Sequence, residues 1–174
     1  VVGTRHVTQY GKDVTKKLVK GLVGHGFTIV SGLAYGVDAV AHEAAIAAGG
    51  KTIAVLGCGI DIIAPASNTD LYWRIVGGCG AIVSEMPLGL RPNKGVFTAR
   101  NRIISGLSLG VVVTEGAKKS GSLITAGYAA EQGREVFAVP GPLTSTYSGA
   151  TSFLLKNGAK LVESAEDIIE ELDS

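Results

Sequence analysis

Short apolar runs that end in glycine, serine or proline alternate along this chain with longer amphipathic stretches, and this rhythm constrains its fold more than any other feature. It is the pattern of repeated βα units around a parallel sheet. Strands are predicted over residues 28–30, 52–56, 81–83, 110–114, 136–139 and 159–162, after a first strand at Val1-Val2. Helices are predicted over 9–23, 37–48, 67–76, 99–107, 122–132 and 151–156, and Ser164 with Asp167 reads as a capping box for a last helix through Leu172. The expected fold class is therefore α/β, an extended Rossmann-like three-layer arrangement with a mostly parallel sheet.

The 174 residues, 46% apolar and 18% charged, suit one domain with a full core. The 25 glycines fall between apolar runs and read as turn residues, not as a low-complexity tract. The start at Val1, inside a strand pattern, leads us to expect a segment of a longer protein. No apolar run nears the roughly 18 residues of a membrane span, so no membrane partner is expected. Cys58 and Cys79 lack metal-site spacing and read as buried free thiols in a reducing cytoplasm.

Position makes the glycine-rich turns informative. Gly3-Thr4-Arg5, Ser31 to Gly36, Gly57-Cys58-Gly59, and Glu115 through Ser122 each follow a predicted strand and precede a helix. They should gather at the carboxyl edge of the sheet, where open α/β folds bind ligands. Helix N-termini there offer free N–H groups and positive dipole ends, which suit phosphate, and the hydroxyls of Ser31, Ser120, Ser122 and Thr125 could add donors. The alternative for any one turn is plain βα turn and capping chemistry.

Net charge is only +1, so a nucleic-acid site would have to be local. The segment from Arg91 to Arg102 supplies such a field: Arg91, Lys94, Arg100 and Arg102 with no acid among them, and Phe97 in the middle. Cations that pair with phosphates beside a ring that stacks on a base serve single strands. Phe97 could equally anchor in the core. Lys118 and Lys119, beside Ser120-Gly121-Ser122, extend the basic rim.

Other motifs are weaker. Gly57-Cys58-Gly59 lacks the third glycine of a dinucleotide fingerprint, and the Walker-like run from Ala45 to Gly50-Lys51-Thr52 leaves a helix and enters a strand, the reverse of a phosphate loop. Asp38 and His42, four apart on one helix, could act jointly on a metal or a proton, but packing accounts for them as well. Glu85 and Glu115 follow strands and could form a carboxylate pair, although no nucleophile or metal cluster accompanies them.

Taken in order, several stretches resemble the DprA (Smf) DNA-processing family: Gly3-Thr4-Arg5; Ser31-Gly32-Leu33-Ala34-Tyr35-Gly36-Val37-Asp38 with Ala41-His42; Gly50 to Gly57; Phe97-Thr98-Ala99-Arg100-Asn101-Arg102 to Ser108; Lys119-Ser120-Gly121-Ser122 to Ala126; and Phe137 to Gly141. The resemblance implies a Rossmann-like core that binds single-stranded DNA, dimerises, and helps load the RecA recombinase during natural transformation, with no cofactor, metal or catalytic residue. Carried over by position, the DNA-binding residues would be Arg5, Ser31, Gly32, Lys94, Phe97, Arg100, Ser120, Gly121 and Ser122, with Asn101, Arg102 and Lys119 beside them. Asn101 and Arg102 could instead orient the loop from inside. The small domains that flank this core in the family are expected to lie outside this sequence. The rival readings are a nucleoside-monophosphate phosphoribohydrolase of the LOG type, whose Pro-Gly-Gly-x-Gly-Thr signature is missing here, and a nucleotide-sensing module.

Overall fold

The computed structural model describes residues 1–173. Six strands form two parallel three-stranded halves. One half holds β1 (Ile29–Ser31), β2 (Thr52–Val55) and β3 (Gly80–Val83); the other holds β4 (Gly110–Val113), β5 (Glu135–Ala138) and β6 (Lys160–Leu161). In register, Ile29 faces Thr52 and Thr52 faces Gly80 in the first half, while Gly110 faces Glu135 and Phe137 faces Lys160 in the second.

Val1-Val2 lies between the halves. The Val1 nitrogen donates to the Val30 carbonyl at 2.8 Å, while the Val2 N–H donates to the Val112 carbonyl at 2.9 Å and Val2 pairs in parallel with Val113. The order is thus β3-β2-β1, then Val1-Val2, then β4-β5-β6, and the direction of winding reverses beside the N-terminal segment. Alternation along the central strands feeds two cores, as period-two side-chain placement requires. Val1, Ile29 and Val112 face one layer with α1 (Gln9–Gly24), α2 (Val37–Ala47) and α7 (Ala165–Leu172). Val2, Val30, Val111 and Val113 face the other with α4 (Lys94–Gly106) and α5 (Ser122–Glu131). A third cluster, with Leu33, Leu56 and Tyr72, packs α3 (Thr69–Arg74) beside β2. The remaining helix, α6 (Gly149–Lys156), packs on β5 and α5.

The expected strands fall within a residue or two of those observed, and the Ser164–Asp167 capping box closes α7. Two helices differ. The expected helix over 67–76 is a short α3 flanked by a tight turn at Ala66–Asn68 and a wide one at Ile75–Cys79, because Gly78 takes φ 120°. α4 starts at Lys94 and not at 99, because the Asn93 side chain accepts the Val96 N–H at 3.1 Å and caps it. Cys58 is a buried free thiol as expected, whereas Cys79 is only half-buried.

At the head of α2 one glycine is required by geometry. Gly36 takes φ 75°, and a Cβ there would lie 2.2 Å from the Thr4 carbonyl oxygen. Thr4 cannot retreat, since its N–H is bonded to the Glu115 carbonyl and its own carbonyl accepts the Val37 N–H. Gly36→Ala combines left-handed strain with a backbone clash and should cost more than about 2 kcal/mol, read as a lower urea midpoint at unchanged slope.

Candidate nucleic-acid interface at the sheet edge

Where the winding reverses, the turns after Val2 and β4 diverge over a cavity of about 700 Å³. α4 supplies one wall. Lys94, Phe97, Asn101 and Ile104, spaced by three and four, form one stripe that lines it. The turn from Val2 to His6 makes the floor, and Lys119, Ser120, Gly121 and Ser122 with the head of α5 make the opposite wall.

Of the residues expected at the site, nine line this cavity together: Arg5, Lys94, Phe97, Arg100, Asn101, Lys119, Ser120, Gly121 and Ser122. Arg5, Lys94 and Lys119 are exposed cations. The Arg5 guanidinium lies 5.2 Å from the centre of the half-buried Phe97 ring, a cation–π contact that holds it over the cleft. Gly57 makes room for that ring, since a Cβ there would meet it at 2.8 Å. At the head of α5 the Ser120 hydroxyl accepts the Ser122 N–H at 3.3 Å and meets the Ser122 hydroxyl at 2.8 Å, while the Leu123 and Ile124 N–H groups are bonded to the Ser120 and Gly121 carbonyls.

Three expected contacts sit elsewhere. Ser31 is fully buried, and its hydroxyl donates to the Val1 carbonyl at 2.7 Å. The Gly32 N–H donates to Asp38 Oδ2 at 3.0 Å, so it is not free for phosphate. Arg102 points outward and pairs with Glu85. Arg100 reaches the cavity only from below: it is 3% exposed, its Nη1 donates to the Gly32 and Val55 carbonyls, and its Nε donates to Asn101 Oδ1.

The Asp38 and His42 pair is a buried brace. Asp38 accepts from the Gly32 and Ala34 N–H groups. Burial pushes its carboxyl up, against the pull of Arg100, and burial likewise pulls Arg100 down. His42 Nε2 accepts the Leu33 N–H at 3.2 Å, which leaves Nδ1 as the donor to Thr52 Oγ1 at 2.6 Å; the Thr52 hydroxyl in turn donates a hydrogen bond to the Ile29 carbonyl. This chain holds Leu33 at φ 55°, a conformation costly for leucine. Glu85 and Glu115 are not a pair: Glu115 is buried and accepts the Thr8 N–H and hydroxyl at the head of α1. Lys51, of the Walker-like run, donates to the Gly78 carbonyl. Among the described residues no cluster of His, Cys, Asp or Glu could hold a metal ion.

His6, Thr98 and Tyr147 also line the cleft, and sequence reasoning did not single them out. For His6, adjacency to Arg5 was the available signal; Tyr147 arrives from a distant turn that no local pattern marks.

A model of the family described as DNA recombination-mediator protein A matches residues 1–173. The chain belongs to that family. The DNA processing protein DprA of Bacillus subtilis is 51% identical over 172 residues, which is 99% of this chain and 58% of that protein. The crystal structure of DprA from Streptococcus pneumoniae superposes with a TM-score of 0.91 at 44% identity, covering 98% of this chain and 59% of that one. DNA processing protein A from Helicobacter pylori, whose structure is described for its single-stranded DNA binding mode, superposes at 0.88 with 35% identity, covering 98% and 77%. The chain thus spans a little over half the length of the first two relatives. Among the described residues no helix is long and apolar enough to cross a membrane.

The brace predicts an acid response. Burial, then the nearby positive charges of the Val1 nitrogen and Arg100, lowers His42 from 6.5 to about 3. Above 6.5 both folded and unfolded states hold it neutral. As pH falls below that value the unfolded state gains a proton that the folded state refuses, so His42 alone removes up to about 1.4 kcal/mol of stability per pH unit until about pH 3. Asp38, with its raised carboxyl, acts in the opposite sense within its own window above 3.8. Denaturant titrations of wild type and His42→Gln isolate the histidine: their stability difference should shrink as pH drops from 6.5.

Proposed function

We propose that this chain binds single-stranded DNA in the cleft at the winding reversal and acts by holding the strand, without turnover. One observation carries the reading: a recess of about 700 Å³ whose rim presents Arg5, Lys94 and Lys119, while its single acid, Asp38, is buried and bonded to backbone N–H groups. Phosphates meet the three cations and the positive dipole end at the head of α5. An unpaired base stacks on the composite surface of Phe97 and Arg5. In this role Arg100, Ser31 and Gly32 position the turns from beneath; they do not touch the strand. The Asn101 amide, fixed by Arg100 Nε, and the Ser120–Ser122 hydroxyls orient the backbone.

Membership of the recombination-mediator family and the likeness to the Helicobacter pylori protein support this reading. On the same grounds we assign the chain to the cytoplasm, as a homodimer that protects incoming single-stranded DNA and helps load the RecA recombinase in natural transformation.

Fluorescence anisotropy of labelled oligonucleotides over a salt series tests the proposal. The single strand should bind more tightly than duplex, and affinity should fall as salt rises. Arg5→Ala and Lys94→Ala should each weaken binding roughly tenfold and reduce the log-log salt slope by about 1, whereas Lys20→Ala, on the exposed face of α1, should change neither. Equal affinity for duplex would overturn this reading, and release of free base from a nucleoside monophosphate would replace it with a nucleotide hydrolase.

A further inference from the structure

A second cavity, of about 1,020 Å³, lies on the far side of the loop that carries Lys119. It is not part of the cleft described above, but the two share Ala117 and Lys119 as a common ridge. Lys118, Lys119 and Lys156 line it, and no acid does. Between these cations lie Leu123, Leu143 and Phe153, with Leu143 97% and Phe153 54% exposed. On a molecule whose net charge is only +1, three lysines around an exposed ring and two leucines form a local field joined to an apolar floor.

The ridge is fixed in place. The Gly116 N–H donates to the Tyr147 carbonyl at 2.6 Å, and the Ala150 N–H donates to the Gly116 carbonyl at 2.7 Å, which stitches the loop to the head of α6. Gly149 lets it approach closely, since a Cβ there would lie 2.7 Å from Lys118 Cγ. Lys119 therefore stands at the crest with one cavity on each side.

We infer that the second cavity receives the next nucleotides of the same single strand, which crosses the ridge at Lys119, places a base on Phe153 and Leu143, and sets its phosphates against Lys118 and Lys156. The inference rests on the reading of the cleft as the primary single-strand site. Charge complementarity and continuity select this occupant: a polyanion leaving the cleft meets Lys119 first, and the surface beyond pairs cations with an aromatic face, the combination that holds unpaired nucleotides. A purely apolar partner would leave three lysines to be desolvated unpaired.

Binding is measured against oligothymidylates of graded length, with sedimentation run in parallel. Wild-type affinity should rise with length beyond the shortest strand that binds. Phe153→Ala and Lys156→Ala, at exposed positions that leave the core intact, should leave the shortest strand unaffected and weaken long strands at least about fivefold, the low end of what loss of one base–aromatic stack costs. Arg5→Ala should weaken strands of every length. Wild-type affinity of both variants for long strands overturns the inference alone, and a change in sedimentation without a change in affinity would assign the surface to a second copy of the chain instead. Absence of binding at every length overturns the primary reading and this one together.

Discussion

The cleft depends on the burial of one guanidinium. Arg100 comes from α4, on one face of the sheet, and donates to the carbonyls of Gly32, just past β1, and of Val55, the last residue of β2. At the strand ends the ladder runs out, and a carbonyl left unpaired in the interior costs about one to several kcal/mol. Burying the cation is itself costly, and the carboxylate of Asp38 on the other side of the Gly32 backbone offsets part of that. A side chain at Gly32 would force the two apart, since its Cβ would lie 2.7 Å from Asp38 Oδ2 and 2.8 Å from Arg100 Cζ. The same anchor aims α4. Phe97 and Lys94 precede Arg100 by about one and two turns of α4, so fixing its root fixes where the ring and the amine meet the cleft.

The other turns of the edge are braced from below in the same manner. His42, kept neutral, pins Leu33 in a left-handed conformation; Glu115 holds the head of α1; and the segments that follow β2 and β3 are tied together by the Gly59 N–H to the Leu90 carbonyl and by the Gly89 N–H to Asp61. His42 and Glu115 are buried polar side chains with their partners satisfied, which rigidifies, and the enclosed Arg100 also adds field: a cation under the floor acts through a lower dielectric than one on the rim. Such preorganisation lowers the ordering cost of binding a flexible strand.

How far the sequence is legible follows from the same facts. The strands, most helices and the place where the turns converge can be read because apolar periodicity and glycine position reflect local geometry. Depth is harder. Arg100 and Lys94 look alike as cations in one basic segment, and only the helix start at Asn93 separates them, by turning Arg100 inward. With the helix expected only from residue 99, the three-four spacing from Lys94 to Ile104 that marks this division goes unread. Ser31 and Gly32 look like phosphate-binding turn residues because a turn motif does not show whether its donors are already occupied, here by the Val1 carbonyl and Asp38. The pairing of Arg102 with Glu85 joins residues 17 apart through a loop, beyond any local pattern.

The selectivity proposed for a single strand over duplex rests on the shape of this edge more than on its charge. A surface that only presented cations would take phosphates from either form, and with a net charge of +1 it would take neither strongly. The cleft places its cations around a recess walled by the half-buried Phe97 ring and lined by a second aromatic, Tyr147. Those ring faces gain nothing from a duplex, whose bases already stack on one another, and opening the duplex to reach them costs unpairing and unstacking free energy. An unpaired base enters without that cost. The polar contacts hold the backbone in either case, so the stacking term decides between the two forms, and that term exists only because α4 is anchored deeply enough by Arg100 to turn Phe97 toward the cleft.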